Sequence, residues 1–205
     1  FEIVVQDCSE NNNLFTLINN TYNNDERIKY YYSNDSPSLT ENWNRAIGNT
    51  NGKYLCGIGD DDAILKNIID VTNWMNINDI DTLLASFILY IWPDAYKNSY
   101  LNSKISYNKF YTGKFKKINL NYYYKNKATN CGFGYTDNLP NLYHGIVKKS
   151  LFEKHKVITG KYLDSTSFDV YNAFIISKYT KNFVLLDYPI TIRGISGNSN
   201  ANRIV

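Results

Sequence analysis

The chain has 205 residues, 43% of them hydrophobic and 20% charged, with a formal net charge of +3. That is enough for one domain with a sizeable core, in a composition ordinary for a globular protein. The mild positive charge suits an anionic ligand but is too small to indicate nucleic acid, so no nucleic-acid partner is expected.

The first half alternates strand and helix patterns at short intervals, which predicts an α/β sheet. Residues 1–5 are a β-branched strand ending at Asp7, and Leu14, Phe15, Leu17 and Ile18 mark a short helix over 12–21. Residues 27–32 read as a second strand, and Ser38 or Thr40 caps a helix that carries Trp43, Ala46 and Ile47 and stops at Gly48. A strand follows at 53–58, then a helix with Leu65, Ile68, Ile69, Thr72 and Met75 at core spacing, then a buried strand at 82–91. Residues 94–135 are rich in Tyr, Lys and Asn without a clean period, and read as a lid, irregular β-structure or a partner surface. Order returns with a strand over 142–147, a helix from Ser150, and a helix whose first turn holds Asp169. Two closing strands at 183–186 and 190–192 flank Tyr188-Pro189, ahead of a small-residue tail.

No apolar run reaches the length of a membrane span. Cys8, Cys56 and Cys131 lie far apart with no metal-ligand spacing, which makes a reduced cytoplasmic setting the expectation. The chain opens without a methionine, directly in a strand, as though an opening strand and helix were missing.

The most informative feature is the run Asp60-Asp61-Asp62 after the apolar segment 54–59. Adjacent like charges repel. A hard divalent cation at the carboxyl end of a strand resolves that repulsion and leaves positions open for phosphate. The competing reading is a solvated first turn of a helix, where acids favour the macrodipole.

The order of motifs adds to this. Residues 2–9, Asp25-Glu26-Arg27-Ile28, Asn42-Trp43-Asn44-Arg45-Ala46, Gly52-Lys53-Tyr54-Leu55 and Gly59-Asp60-Asp61-Asp62 together resemble family 2 glycosyltransferases. Tyr143-His144-Gly145, residues 167–171 and residues 187–194 are similar to the bacterial surface-polysaccharide branch. The resemblance implies a GT-A fold: a Rossmann-like mixed sheet flanked by helices, with 1–92 binding the nucleotide-sugar and 93–205 the acceptor. It implies Asp7, Asn44, Arg45, Asp60 and Asp61 at the nucleotide-sugar, and Mn2+ or Mg2+ on Asp61 and Asp62. Asp169 falls at the family's catalytic base, with Asp164 a competing candidate, and His144 lines the acceptor pocket. The implied reaction is inverting transfer from a UDP-sugar to a glycan or lipid-linked acceptor, with peripheral membrane contact through the Tyr/Lys region. The alternative is a noncatalytic nucleotide- or glycan-binding fragment of the same fold. One departure stands out: the common family pattern has an aspartate where this chain has Gly59.

Overall fold

The structure is a computed structural model that describes residues 1–22, 25–107, 110–129 and 138–198. Cys131 and the end of the tail lie outside the described residues. The elements in chain order are β1 (Ile3–Asp7), α1 (Asn13–Thr21), β2 (Ile28–Tyr32), α2 (Leu39–Gly48), β3 (Tyr54–Leu55), β4 (Ala63–Ile64), α3 (Ile68–Ile77) and β5 (Thr82–Ile91). They continue as β6 (Lys104–Ser106), β7 (Phe115–Ile118), α4 (Leu120–Thr129), β8 (Gly145–Lys148), α5 (Lys149–Thr159), α6 (Phe168–Tyr179) and β9 (Phe183–Ile195).

The core strands are β5 and β9, two apolar runs paired in parallel from Thr82↔Phe183 to Ile91↔Ile195. Continuous apolar sequence marks strands covered on both faces. One face packs Leu83, Ala85, Val184 and Ile190 against Met75 and Ile80. The other packs Phe183 against Ala173 of α6, and Leu151, Phe152 and Ile176 meet Ile47 and Leu55 in a neighbouring cluster. The sheet runs β3-β8-β5-β9-β4, with β6 on β5 and β7 on β9. This is the expected mixed sheet flanked by helices.

β1 and β2 form a separate parallel pair. The Glu2 carboxylate accepts from the Asn51 and Gly52 N–H groups, and Asn49 donates to the Gln6 side chain at 3.0 Å, tying β1 to the turn before β3. The predicted apolar face of α1 stays largely uncovered, with Phe15 and Leu17 exposed.

Several boundaries differ from expectation. The aspartates do not open a helix: Ala63 and Ile64 pair antiparallel with Ile192 and Thr191, Leu65 N–H donates to Ile190 O, and α3 starts only at Ile68. The edge of β9 draws the backbone into a strand, so the helix-turn reading of the triplet falls. The two closing strands are one strand. Pro189 sits where the β5–β9 register shifts, a place that tolerates a missing N–H. The strand expected at 53–58 is only Tyr54–Leu55, followed by a bridge between Gly57 and Tyr143. The described part of the Tyr/Lys-rich stretch holds β6, β7 and α4. Among the described residues, no helix is long and apolar enough to cross a membrane.

Candidate active site

The aspartates lie in the short crossing between β3 and β4, at the edge of the large sheet. The three carboxylates do different things. The Asp62 side chain is fully buried. Its Oδ2 accepts from Gly59 N–H at 2.8 Å and from the Tyr143 hydroxyl at 2.6 Å, and its Oδ1 accepts from Gly194 N–H at 2.8 Å. Asp61 is partly buried; its Oδ2 accepts from the Ser196 hydroxyl at 3.0 Å and its carbonyl from Trp92 Nε1 at 2.9 Å. Asp60 is exposed.

Two glycines make this packing fit. A Cβ on Gly194 would lie 1.8 Å from the Asp61 carbonyl oxygen, so only glycine lets β9 approach the triplet. A Cβ on Gly59 would lie 3.2 Å from the Tyr143 hydroxyl and 3.3 Å from carboxylate oxygens of both Asp61 and Asp62. That crowding is a physical reason for glycine at the position where the common family pattern has an aspartate.

A divalent cation needs carboxylate oxygens that face outward. Asp62 does not fit: both of its oxygens have internal donors and the side chain is fully enclosed. Asp60 and Asp61 remain as a pair of carboxylates nearer solvent. Among the described residues no group of three or more His, Cys, Asp or Glu side chains is gathered for a metal. Asp60 and Asp61 alone would leave most of a cation's shell to other oxygens, such as phosphate and water.

His144 is buried, with Nδ1 3.0 Å from Thr191 Oγ1 and Nε2 3.5 Å from Asp62 Oδ2, and Nε2 has no hydrogen-bond partner. Burial pushes its pKa down; the Asp62 charge opposes that and the Arg193 charge adds to it. It packs against Asp62 and Thr191, enclosed by the fold. Its backbone is left-handed, φ 62°, an arrangement that costs about 1 kcal/mol or more in a non-glycine residue.

Asp169 is exposed in the first turn of α6, and its Oδ1 accepts from the Val170 N–H at 2.8 Å. Asn172 donates to the carbonyls of Phe168 and Asp169, and Asn141 also donates to the Asp169 carbonyl. The segment 141–143 thus reaches Asp169 at one end and Asp62 at the other. Asp164 is exposed and pairs with Lys161 at 3.4 Å.

Asp7 ends β1, 6% exposed, and accepts from Tyr30 OH at 2.6 Å and from the Ser9 N–H and hydroxyl. Burial works to raise its pKa, but these hydrogen bonds outweigh it and hold the carboxyl below its ordinary value.

Asn44 and Arg45 have internal partners. Asn44 donates to Thr40 O and Leu163 O, and its Oδ1 accepts from the Tyr162 and Leu163 N–H groups, which fills its hydrogen-bonding capacity. It clamps α2 to the loop before α6. Arg45 pairs through both terminal nitrogens with Asp35 at 2.7 and 2.8 Å, and through Nε with Glu41 at 3.3 Å. A cleft of about 410 Å³ opens beside this clamp, between Ser38, Thr40, Lys161 and Ser165, and none of Asp60, Asp61, Asp62 or Asp169 lines it.

The residues that the sequence reading missed are Tyr143, Trp92, Ser196 and Gly194. Tyr143 and Gly194 lie inside quoted motifs, but nothing local shows that they meet the aspartates.

No protein-family model matches this chain, and no curated protein sequence matches it significantly. Solved structures do. S. aureus TarS 1-349 in complex with UDP-GlcNAc aligns over 95% of this chain and 49% of that one, with a TM-score of 0.63 and 17% identity. TarS 1-349 in complex with UDP aligns over 96% and 52%, with a TM-score of 0.61 and 16% identity. The chain thus spans about half the length of TarS 1-349. At that identity the likeness is one of fold: this chain has the GT-A-like mixed α/β architecture that its motifs predict.

Proposed function

We propose that this chain is the nucleotide-sugar-binding and catalytic portion of an inverting, metal-dependent glycosyltransferase that uses a UDP-sugar and a glycan or lipid-linked acceptor. The observation that carries this reading is the division of labour in the triplet. Asp62 is buried and accepts three internal hydrogen bonds, while Asp60 is exposed and Asp61 half-buried at the sheet edge, in a fold shared with a UDP-GlcNAc complex.

Asp60 and Asp61 hold Mn2+ or Mg2+, which when bound neutralises charge developing on the departing diphosphate. Asp7, its ionised carboxylate oriented by Ser9 and Tyr30, takes the nucleoside end. Asp169, exposed at the start of α6, takes the proton from the acceptor hydroxyl. One base suffices for a single displacement with inversion. The acceptor class follows from the resemblance to surface-polysaccharide enzymes.

A second reading, a module that binds a nucleotide without turnover, draws support from Asn44 and Arg45. Two of the expected nucleotide contacts are consumed by internal partners.

One experiment separates the two. UDP binding is measured by calorimetry with Mn2+, and sugar transfer or hydrolysis is measured over a panel of UDP-sugars. Asp61→Ala is expected to abolish metal-dependent UDP binding. Asp169→Asn is expected to keep binding and lose turnover by about 100-fold or more. Unchanged turnover in Asp169→Asn removes the base assignment, and binding without turnover in the unsubstituted chain favours the second reading.

A further inference from the structure

Trp43 on α2 stacks face to face on Phe168, with ring centroids 5.0 Å apart and planes 19° apart. It meets Tyr143 edge-on at 6.2 Å. Its six-membered ring also lies against Gly57, where a Cβ would come within 2.5 Å of Cζ3. Tyr143 and Phe168 meet edge-on at 6.4 Å, which closes an aromatic triangle.

Each corner is fastened to a different part of the site. Gly57 lies in the segment that runs into the aspartates; its N–H donates to Leu142 O and its carbonyl accepts from His144 N–H, both at 3.0 Å. Tyr143 donates its hydroxyl to the buried Asp62. Phe168 immediately precedes Asp169, in a turn secured by Asn172, whose Oδ1 also accepts from Leu142 N–H at 2.9 Å. Core packing alone would account for the stacked rings. A buried tyrosine hydroxyl seeks a hydrogen-bond partner, and here the partner is the carboxylate that anchors the triplet.

We infer that Trp43, Tyr143 and Phe168 form a bracket that sets the placement of Asp169 relative to Asp60 and Asp61, with Tyr143 the positioning residue at the aspartate end. The inference rests on the proposed transferase reading. In an inverting displacement the acceptor oxygen and the departing diphosphate lie on opposite sides of one carbon. The base and the diphosphate anchor must therefore keep a fixed separation, and a misplacement of about 1 Å costs about 100-fold in rate.

The test uses Tyr143→Phe, which removes only the hydroxyl, and Phe168→Leu, which removes the stacked ring, with Phe168→Tyr as the conservative control. Tyr143→Phe is expected to raise the donor KM about tenfold through the loosened triplet. Phe168→Leu is expected to lower kcat by about 10- to 100-fold with UDP–Mn2+ affinity little changed, and Phe168→Tyr to restore kcat. Amide hydrogen exchange supplies a readout independent of activity. Tyr143→Phe and Phe168→Leu should each speed exchange at both 57–62 and 168–171 while β5 and β9 stay protected.

Faster exchange confined to the substituted end overturns the bracket. So does loss of kcat and donor affinity together in proportion to lost thermal stability. If Tyr143→Phe does not fold, Phe168→Leu tests the same coupling from the other end. If the unsubstituted chain neither binds UDP nor transfers sugar, the proposed function fails, and exchange at both ends still decides whether the two are coupled.

Discussion

Three adjacent aspartates look interchangeable on paper and are not so in space. The chain turns between β3 and β4 so that Asp62 points inward to Tyr143 and Gly194, while Asp60 stays exposed. Which carboxylate turns inward depends on partners far along the chain, so the cluster was legible in the sequence and its internal division was not. Asn44 shows the same limit: its place in the segment Asn42-Trp43-Asn44-Arg45-Ala46 was readable, but its clamp on Leu163 comes from a loop more than a hundred positions later. Gly59 offers a test at this scale. Gly59→Asp restores the common family pattern but adds a side chain 3.2 Å from the Tyr143 hydroxyl and a fourth carboxylate to the run. The expected cost is about 2–3 kcal/mol, a fall of about 4–12 °C in melting temperature. Differential scanning calorimetry checks it, and an unchanged midpoint would show that the turn relaxes freely.

Elements with a local signal were legible, and elements made by distant partners were not. Ser38 and Glu41 form a capping pair, the Ser38 hydroxyl accepting from the Glu41 N–H at 3.2 Å, and α2 begins where the sequence places it. β4 has no strand signal of its own and exists because β9 offers an edge. β1 and β2 raise a different question, because a two-stranded pair is marginal by itself. Asp7 at the end of β1 joins them through Tyr30 OH on β2. Its folded pKa lies below the ordinary value of 3.8, so the ionised form is favoured in the folded state. Its contribution is therefore complete above about pH 4 and disappears as pH falls through the lower folded value. Asp7→Asn should lose about 1–2 kcal/mol at neutral pH and show a flatter acid limb than the unsubstituted chain. Urea unfolding from pH 7 down to pH 2 measures both, and parallel acid limbs would remove Asp7 as the source.

At the scale of the molecule, the proposed donor site spans two sheets. Asp7 belongs to the small sheet, Asp60 and Asp61 to the edge of the large one, and Glu2 and Asn49 supply polar ties between them. A ligand that touches both sheets adds a further tie between them. Anything that binds the folded state alone stabilises it, by about 2.7 kcal/mol at a hundredfold excess over Kd. For a chain of this size that corresponds to about 5–10 °C in melting temperature. UDP with Mn2+ should produce that rise, and Asp61→Ala should cancel it. The location of the protection is more telling than its size. If the nucleoside end rests on Asp7, exchange should slow most in residues 3–7 and 28–32, while β5 and β9, already protected by the core, change little. Protection restricted to the segment around Asp60 and Asp61 would leave the diphosphate anchor in place and take Asp7 out of the donor site.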